Sequence, residues 1–144
     1  MMNTNFTMEF CGTYIHVRLT PGYEISSESM YRLWTDLAEF IRIYKCRRVL
    51  SEGLMPSRRM NMAGAFVSGE QISQSVSGLL MACYFEGYQA DELTEFFKTV
   101  VRNRGASIEF FSDREKAFQW LGIMPYGEQP ADGSGNGGVT QFFL

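Results

Sequence analysis

One histidine and three cysteines carry most of the reactive chemistry open to this chain. His16 is the sole histidine, so a pair of His ligands is excluded and a His-based metal site with it. A Cys–His nucleophile would need Cys11, Cys46 or Cys83 to meet His16 in space, and no flanking signature predicts that meeting. The three cysteines are far apart, odd in number and form no CxxC pair, which speaks against a disulfide framework or a zinc site and for reduced thiols in a cytoplasm. Cys83 stands in the most apolar run of the chain and reads as core. No GxSxG elbow, P-loop or HExxH occurs. Gly133 to Gly138 formally satisfies GxGxxG, but it follows no strand and opens no helix, so it has no dinucleotide context. Asp91, Glu92 and Glu95 fall early in a predicted helix, where the helix dipole accounts for them. The expectation is a non-enzyme: no catalytic residue, no cofactor and no metal ligand.

Two clusters point to binding instead. Between Arg42 and Arg59 there are six basic residues (Arg42, Lys45, Arg47, Arg48, Arg58, Arg59) and a single acid, Glu52, in a chain that is acidic overall. A solvated helix end explains this run, and so does a site for an anion, a phospholipid headgroup or an acidic partner. Ser57 beside Arg58 and Arg59 is the candidate phosphorylation or anion site, and Ser57 equally suits a helix N-cap. Met55, Met60, Phe66, Met81 and Phe85 are candidates to line an apolar pocket for a small molecule or lipid, although such residues also make ordinary core.

The elements that would position these residues follow from periodicity. Ile15, Val17 and Leu19 alternate with Tyr14, His16 and Arg18, the mark of a strand. Gly12 would turn a hairpin between 6–11 and 14–20. Ser26 caps a helix whose stripe is Met30, Leu33, Trp34, Leu37, Ile41 and Tyr44. A short strand is expected over 47–51, then a loop from Glu52 to Pro56. A second helix capped by Ser57 would place Met60, Ala63, Gly64 and Val67 on its inner face and end at Gly69. The stretch 70–78 has no clear pattern. Leu79 to Phe85 reads as a strand covered on both faces. A third helix begins near Ala90 and ends before Gly105, and a last strand spans 108–111. Ser112 and Glu115 would form the capping box of a short fourth helix, with Ser112 or Asp113 as the residue that starts it and Gly122 and Pro125 ending it.

This order, β(β)αβαβαβα, predicts an α/β fold with a four- to five-stranded, mostly parallel sheet and about four helices. The length of 144 residues suits one domain, placed at 1–124, with a Gly-rich flexible tail over 125–144. The tail's Phe142, Phe143 and Leu144 could dock on a sheet edge or a neighbouring chain. With 13 basic against 16 acidic residues the formal charge is −3, which argues against a nucleic-acid partner. No run is long and apolar enough to span a membrane, and no charged leader precedes Arg18, so the expected location is cytoplasmic.

The block Phe96 to Gly105, then Ala106 to Asp113, Ala117 and Trp120-Leu121 resembles the closing helix–strand–helix of SpoIIAA-like domains, a group related to STAS and CRAL-TRIO modules. The shared features are a helix ending in Asn-Arg-Gly, a strand, Phe-x-Asp and a last helix with Ala-x-x-Trp-Leu. The resemblance implies a non-catalytic regulatory module that binds a protein partner and is switched by phosphorylation of a Ser or Thr at the start of the second helix. Here that loop reads Gly53-Leu54-Met55-Pro56-Ser57-Arg58-Arg59, without the family's Asp and following Gly, leaving Ser57 as the positional candidate. Lipid binding by the CRAL-TRIO relatives makes a lipid-binding carrier the other reading it suggests; a homodimer is expected on the separate ground that symmetric dimers are the commonest oligomers.

Overall fold

The structure, a computed structural model, describes residues 6–21, 26–54 and 61–124. It is an α/β fold with the elements β1 (Phe6–Phe10), β2 (Ile15–Leu19), α1 (Ser27–Tyr44), β3 (Arg48–Leu54), α2 (Met62–Ser75), β4 (Leu80–Glu86), α3 (Glu92–Arg102), β5 (Ser107–Phe111) and α4 (Arg114–Leu121). The five strands lie in the order β1-β2-β3-β4-β5. The β1–β2 hairpin is antiparallel and every later pairing is parallel. Gly12, at φ 88°, supplies the left-handed residue that its tight connection requires.

Strand register divides the core. Ile15, Val49, Met81 and Ile108 form one row across the sheet, and all are 5% exposed or less. They pack beneath α1 with Leu33, Trp34, Leu37 and Ile41, and beneath α3 with Phe97 and Val101. The smaller cluster on the opposite face joins Cys11, Tyr14, Leu50 and Ala82 to Ala117, Phe118 and Leu121 of α4. No described helix is long and apolar enough to cross a membrane.

The capping chemistry shows why the helices begin where they do. Ser26 accepts from the Ser29 N–H at 3.1 Å and its own N–H donates to Ser29 Oγ at 3.0 Å, a reciprocal box. Asp91 and Thr94 repeat that box at α3. Two expected caps are corrected. Asn61, not Ser57, caps α2, accepting from the Gly64 N–H at 2.8 Å. Asp113, not Ser112, caps α4, accepting from Glu115 and Lys116.

The expected inner face of α2 is also reversed. Val67 is 63% exposed and Ala63 is exposed, whereas Ala65, Ser68, Gly69 and Ile72 face inward. Small residues win the inner side because α2 is wedged between α1 and α3. Ser68 Oγ accepts from the Trp34 indole N–H. A Cβ on Gly69 would come within 2.8 Å of Val100 Cγ1, so this glycine permits helix contact and does not end the helix, which continues through the unassigned stretch to Ser75. β3 likewise runs three residues beyond the expected strand and takes in Glu52.

Candidate functional site

The hairpin builds the most reactive constellation. Register sets Glu9 opposite His16, and Cys11 follows two residues after Glu9, its N–H donating to the Tyr14 carbonyl at 2.8 Å. One donor atom each from Glu9, Cys11 and His16 lies within 4.8 Å of the others. The imidazole is 4% exposed. Its Nε2 comes to 3.0 Å from Glu52 Oε2, but off the line of a good hydrogen bond, so that buried nitrogen has no well-aligned partner.

Glu52 is the hub of the adjoining ion cluster. Its Oε1 accepts from Arg114 Nε at 3.1 Å, and Arg18 Nε stands 4.0 Å from Oε2. Burial alone would raise the Glu52 carboxyl, but His16 and Arg114 overcome it and hold the group down at about 2. Arg114 also lies over the Phe118 ring at 4.9 Å, which fixes its stem against α4. Arg18, Glu52, Gly53, Tyr84, Glu86 and Arg114 line an open cleft of about 300 Å³. It sits at the carboxyl ends of β2, β3 and β4, where open α/β sheets commonly hold ligands.

No family model and no curated protein matches this chain. The functional reading therefore rests on these residues themselves.

The thiols are not poised as nucleophiles. Burial, aided by the Glu9 charge, pushes Cys11 up to about 11, and burial in β4 pushes Cys83 up to about 12. Burial also raises Cys46.

The structure brings together part of the basic run. Arg42, Lys45 and Arg47 line a groove of about 370 Å³ with Ala38, Ile41, Val76 and Ser77. Two of the three are already engaged: Arg42 grips Glu39 with two bonds, and Arg47 Nε donates to the Ser77 carbonyl at 2.7 Å. Glu52 is at the far end of β3 from this groove. Ser57, Arg58 and Arg59 lie outside the described residues, as do Met55, Met60 and the tail with Phe142, Phe143 and Leu144. Of the apolar candidates that remain, Met81 and Phe85 are packed in the core, while Phe66 is 39% exposed on the outer side of α2. None of the three lines either cleft.

The sequence reading missed the cluster around His16. It excluded a His-based metal site because it counted histidines and sought ligands close in sequence. The hairpin register instead gathers one donor atom each from Glu9, Cys11 and His16, residues that are not close to a second histidine or a CxxC pair in sequence. The available signal was the alternation on both strands, which sets Glu9 and His16 on one face once the turn at Gly12 is accepted.

Proposed function

We propose that this chain is a non-catalytic regulatory or protein-binding module of the SpoIIAA/STAS-like kind, docking a protein partner through the outer face of α2. The observation that carries this reading is the inversion of α2. Met62, Phe66 and Val67 stand 43%, 39% and 63% exposed, with Arg104 lying 5.5 Å over the Phe66 ring, while the helix turns Ala65, Ser68, Gly69 and Ile72 inward. Bulky apolar side chains turned to solvent on one helix face suit an interface. In sequence Ser57 stands five residues before Met62, so the candidate switch lies close to the candidate docking face along the chain. A phosphate beside Arg58 and Arg59 would alter that surface's charge. Thiols held protonated near neutrality, Cys11 and Cys83, favour a module without a cysteine nucleophile.

The carrier reading has less support, since Phe66 faces outward while Met81 and Phe85 belong to the packed core. The experiment is a comparison of the full chain with Phe66→Glu and Val67→Glu variants, by affinity purification with quantitative mass spectrometry and by light scattering. Loss of specific partners, or of a dimer mass, in variants that keep the wild-type circular dichroism is the expected result. Unchanged partners and unchanged mass would sink the docking face. A lipid that co-purifies in native mass spectrometry would favour the carrier instead.

A further inference from the structure

We propose that the β1–β2 hairpin holds a divalent transition metal of the zinc class, with Glu9, Cys11 and His16 as its protein ligands and a fourth position left for water or an added ligand. This inference is independent of the α2 reading, since α2 packs over the other face of the sheet.

The donor atoms are already gathered within 4.8 Å. A tetrahedral ion bonded at about 2.0–2.3 Å needs them roughly 3.5 Å apart, so closure asks for movements of about an ångström. Glu9 can supply most of this, because its side chain is exposed on an edge strand. Cys11 and His16 are buried and held by the hairpin, so the soft donor and the ring are preplaced. The buried His16 ring, 4% exposed, also has a carboxylate at its other nitrogen, which is the second observation. Metal-bound imidazoles usually turn their other nitrogen to a carboxylate, and Glu52 Oε2 stands 3.0 Å from Nε2. Coordination through Nδ1, with a small ring rotation, would align the Nε2–H with Glu52.

The mixed sulfur, nitrogen and oxygen set selects zinc or cobalt over magnesium or calcium, which prefer oxygen alone. On binding, the Cys11 S–H bond breaks and an Sγ–metal bond forms. The proton goes to solvent, and no electrons are transferred. All three groups bind in their deprotonated forms, so ion binding is accompanied by proton release.

The test uses the full chain, stripped with chelator and titrated with Co²⁺. The expected result is a thiolate-to-cobalt absorption band and tetrahedral d–d bands that saturate at one ion per chain and are displaced by Zn²⁺. Cys11→Ser should abolish the thiolate band, and Cys46→Ser should leave it intact. Because His16 is buried, the exposed Glu9→Gln is the second ligand variant, expected to weaken binding at least tenfold. Glu52→Gln should weaken it about tenfold or more while keeping the thiolate band. A folded chain without the band, a band that survives Cys11→Ser, or Glu9→Gln binding at wild-type strength would each overturn the site.

Discussion

Adjacent rows of the same sheet differ completely in character. The row Ile15, Val49, Met81 and Ile108 is apolar from edge to edge and sealed by helices. One residue further along each strand, the row His16, Leu50, Ala82 and Glu109 begins and ends on an ionisable group. The next row on that face, Arg18, Glu52, Tyr84 and Phe111, opens the cleft. α4 covers this face from the hairpin residues Cys11 and Tyr14 across Leu50 and Ala82 to Phe111, and it leaves the cleft at the carboxyl ends of β2, β3 and β4 open. Three helices on one side free the other side from carrying the whole core. The spare face can therefore keep charge, a buried imidazole and an open cleft.

The sharpest way to break this contrast is to cut the sealed row. Met81→Ala removes a side chain that is 1% exposed and should cost about 2–5 kcal/mol in urea unfolding followed by circular dichroism. A cost under about 1 kcal/mol would mean the helix-covered face is looser than the packing indicates. Gly69→Ala comes next. A helical Ala would normally be favourable against Gly by roughly 1 kcal/mol. Here its Cβ meets Val100 at 2.8 Å, so α2 and α3 must part, and a net loss of about 1–3 kcal/mol is expected. A stabilised variant would show that the two helices can separate freely.

How much of this contrast the residues announced beforehand varies by element. α1 was legible because its stripe is single and its cap is local: Met30, Leu33, Trp34, Leu37 and Ile41 are all buried as their spacing requires. Only Tyr44 at its end departs, at 43% exposed, stacking on Phe10 at 4.6 Å. β4 was legible because an unbroken apolar run fits a central strand. α2 misled because its apolar residues fall on two sides, and bulk suggested the wrong one. Which side turns inward depends on the gap between α1 and α3, a tertiary quantity. Glu52 is hard to place from sequence because a charged residue after Val49-Leu50 looks like a strand end. Its place in β3 depends on His16 and Arg114, which are 36 and 62 positions away. The Glu9–Cys11–His16 group is legible only through strand register.

The polar face gives the third prediction. The Glu52 carboxyl is lower in the folded chain than its ordinary 4.5, at about 2, so it adds stability above the ordinary value and loses it as pH falls between the two. The groups facing it are His16 and Arg18 from β2, Arg114 from α4, and Glu86 across the cleft. The full shift corresponds to roughly 3 kcal/mol. Solvent around Arg18 and Arg114 reduces that to about 1–2 kcal/mol. In chelator-treated protein, unfolding free energy should drop by this amount between pH 5 and pH 2, and Glu52→Gln should flatten that part of the curve. An equal drop in the variant would place the acid sensitivity elsewhere.

The smallest expected change separates stability from recognition. Val67 and Val101 are both helical valines, 63% and 0% exposed. Val67→Glu should alter unfolding free energy by no more than about 0.5 kcal/mol, as surface substitutions do. Val101→Ala, in contrast, should cost on the order of 1 kcal/mol or more through lost burial and an added void. If Val67→Glu destabilises as much as Val101→Ala, then Val67 is covered within the folded chain itself, and the outer face of α2 is not available to a partner. If it does not, that face is apolar without contributing to the fold.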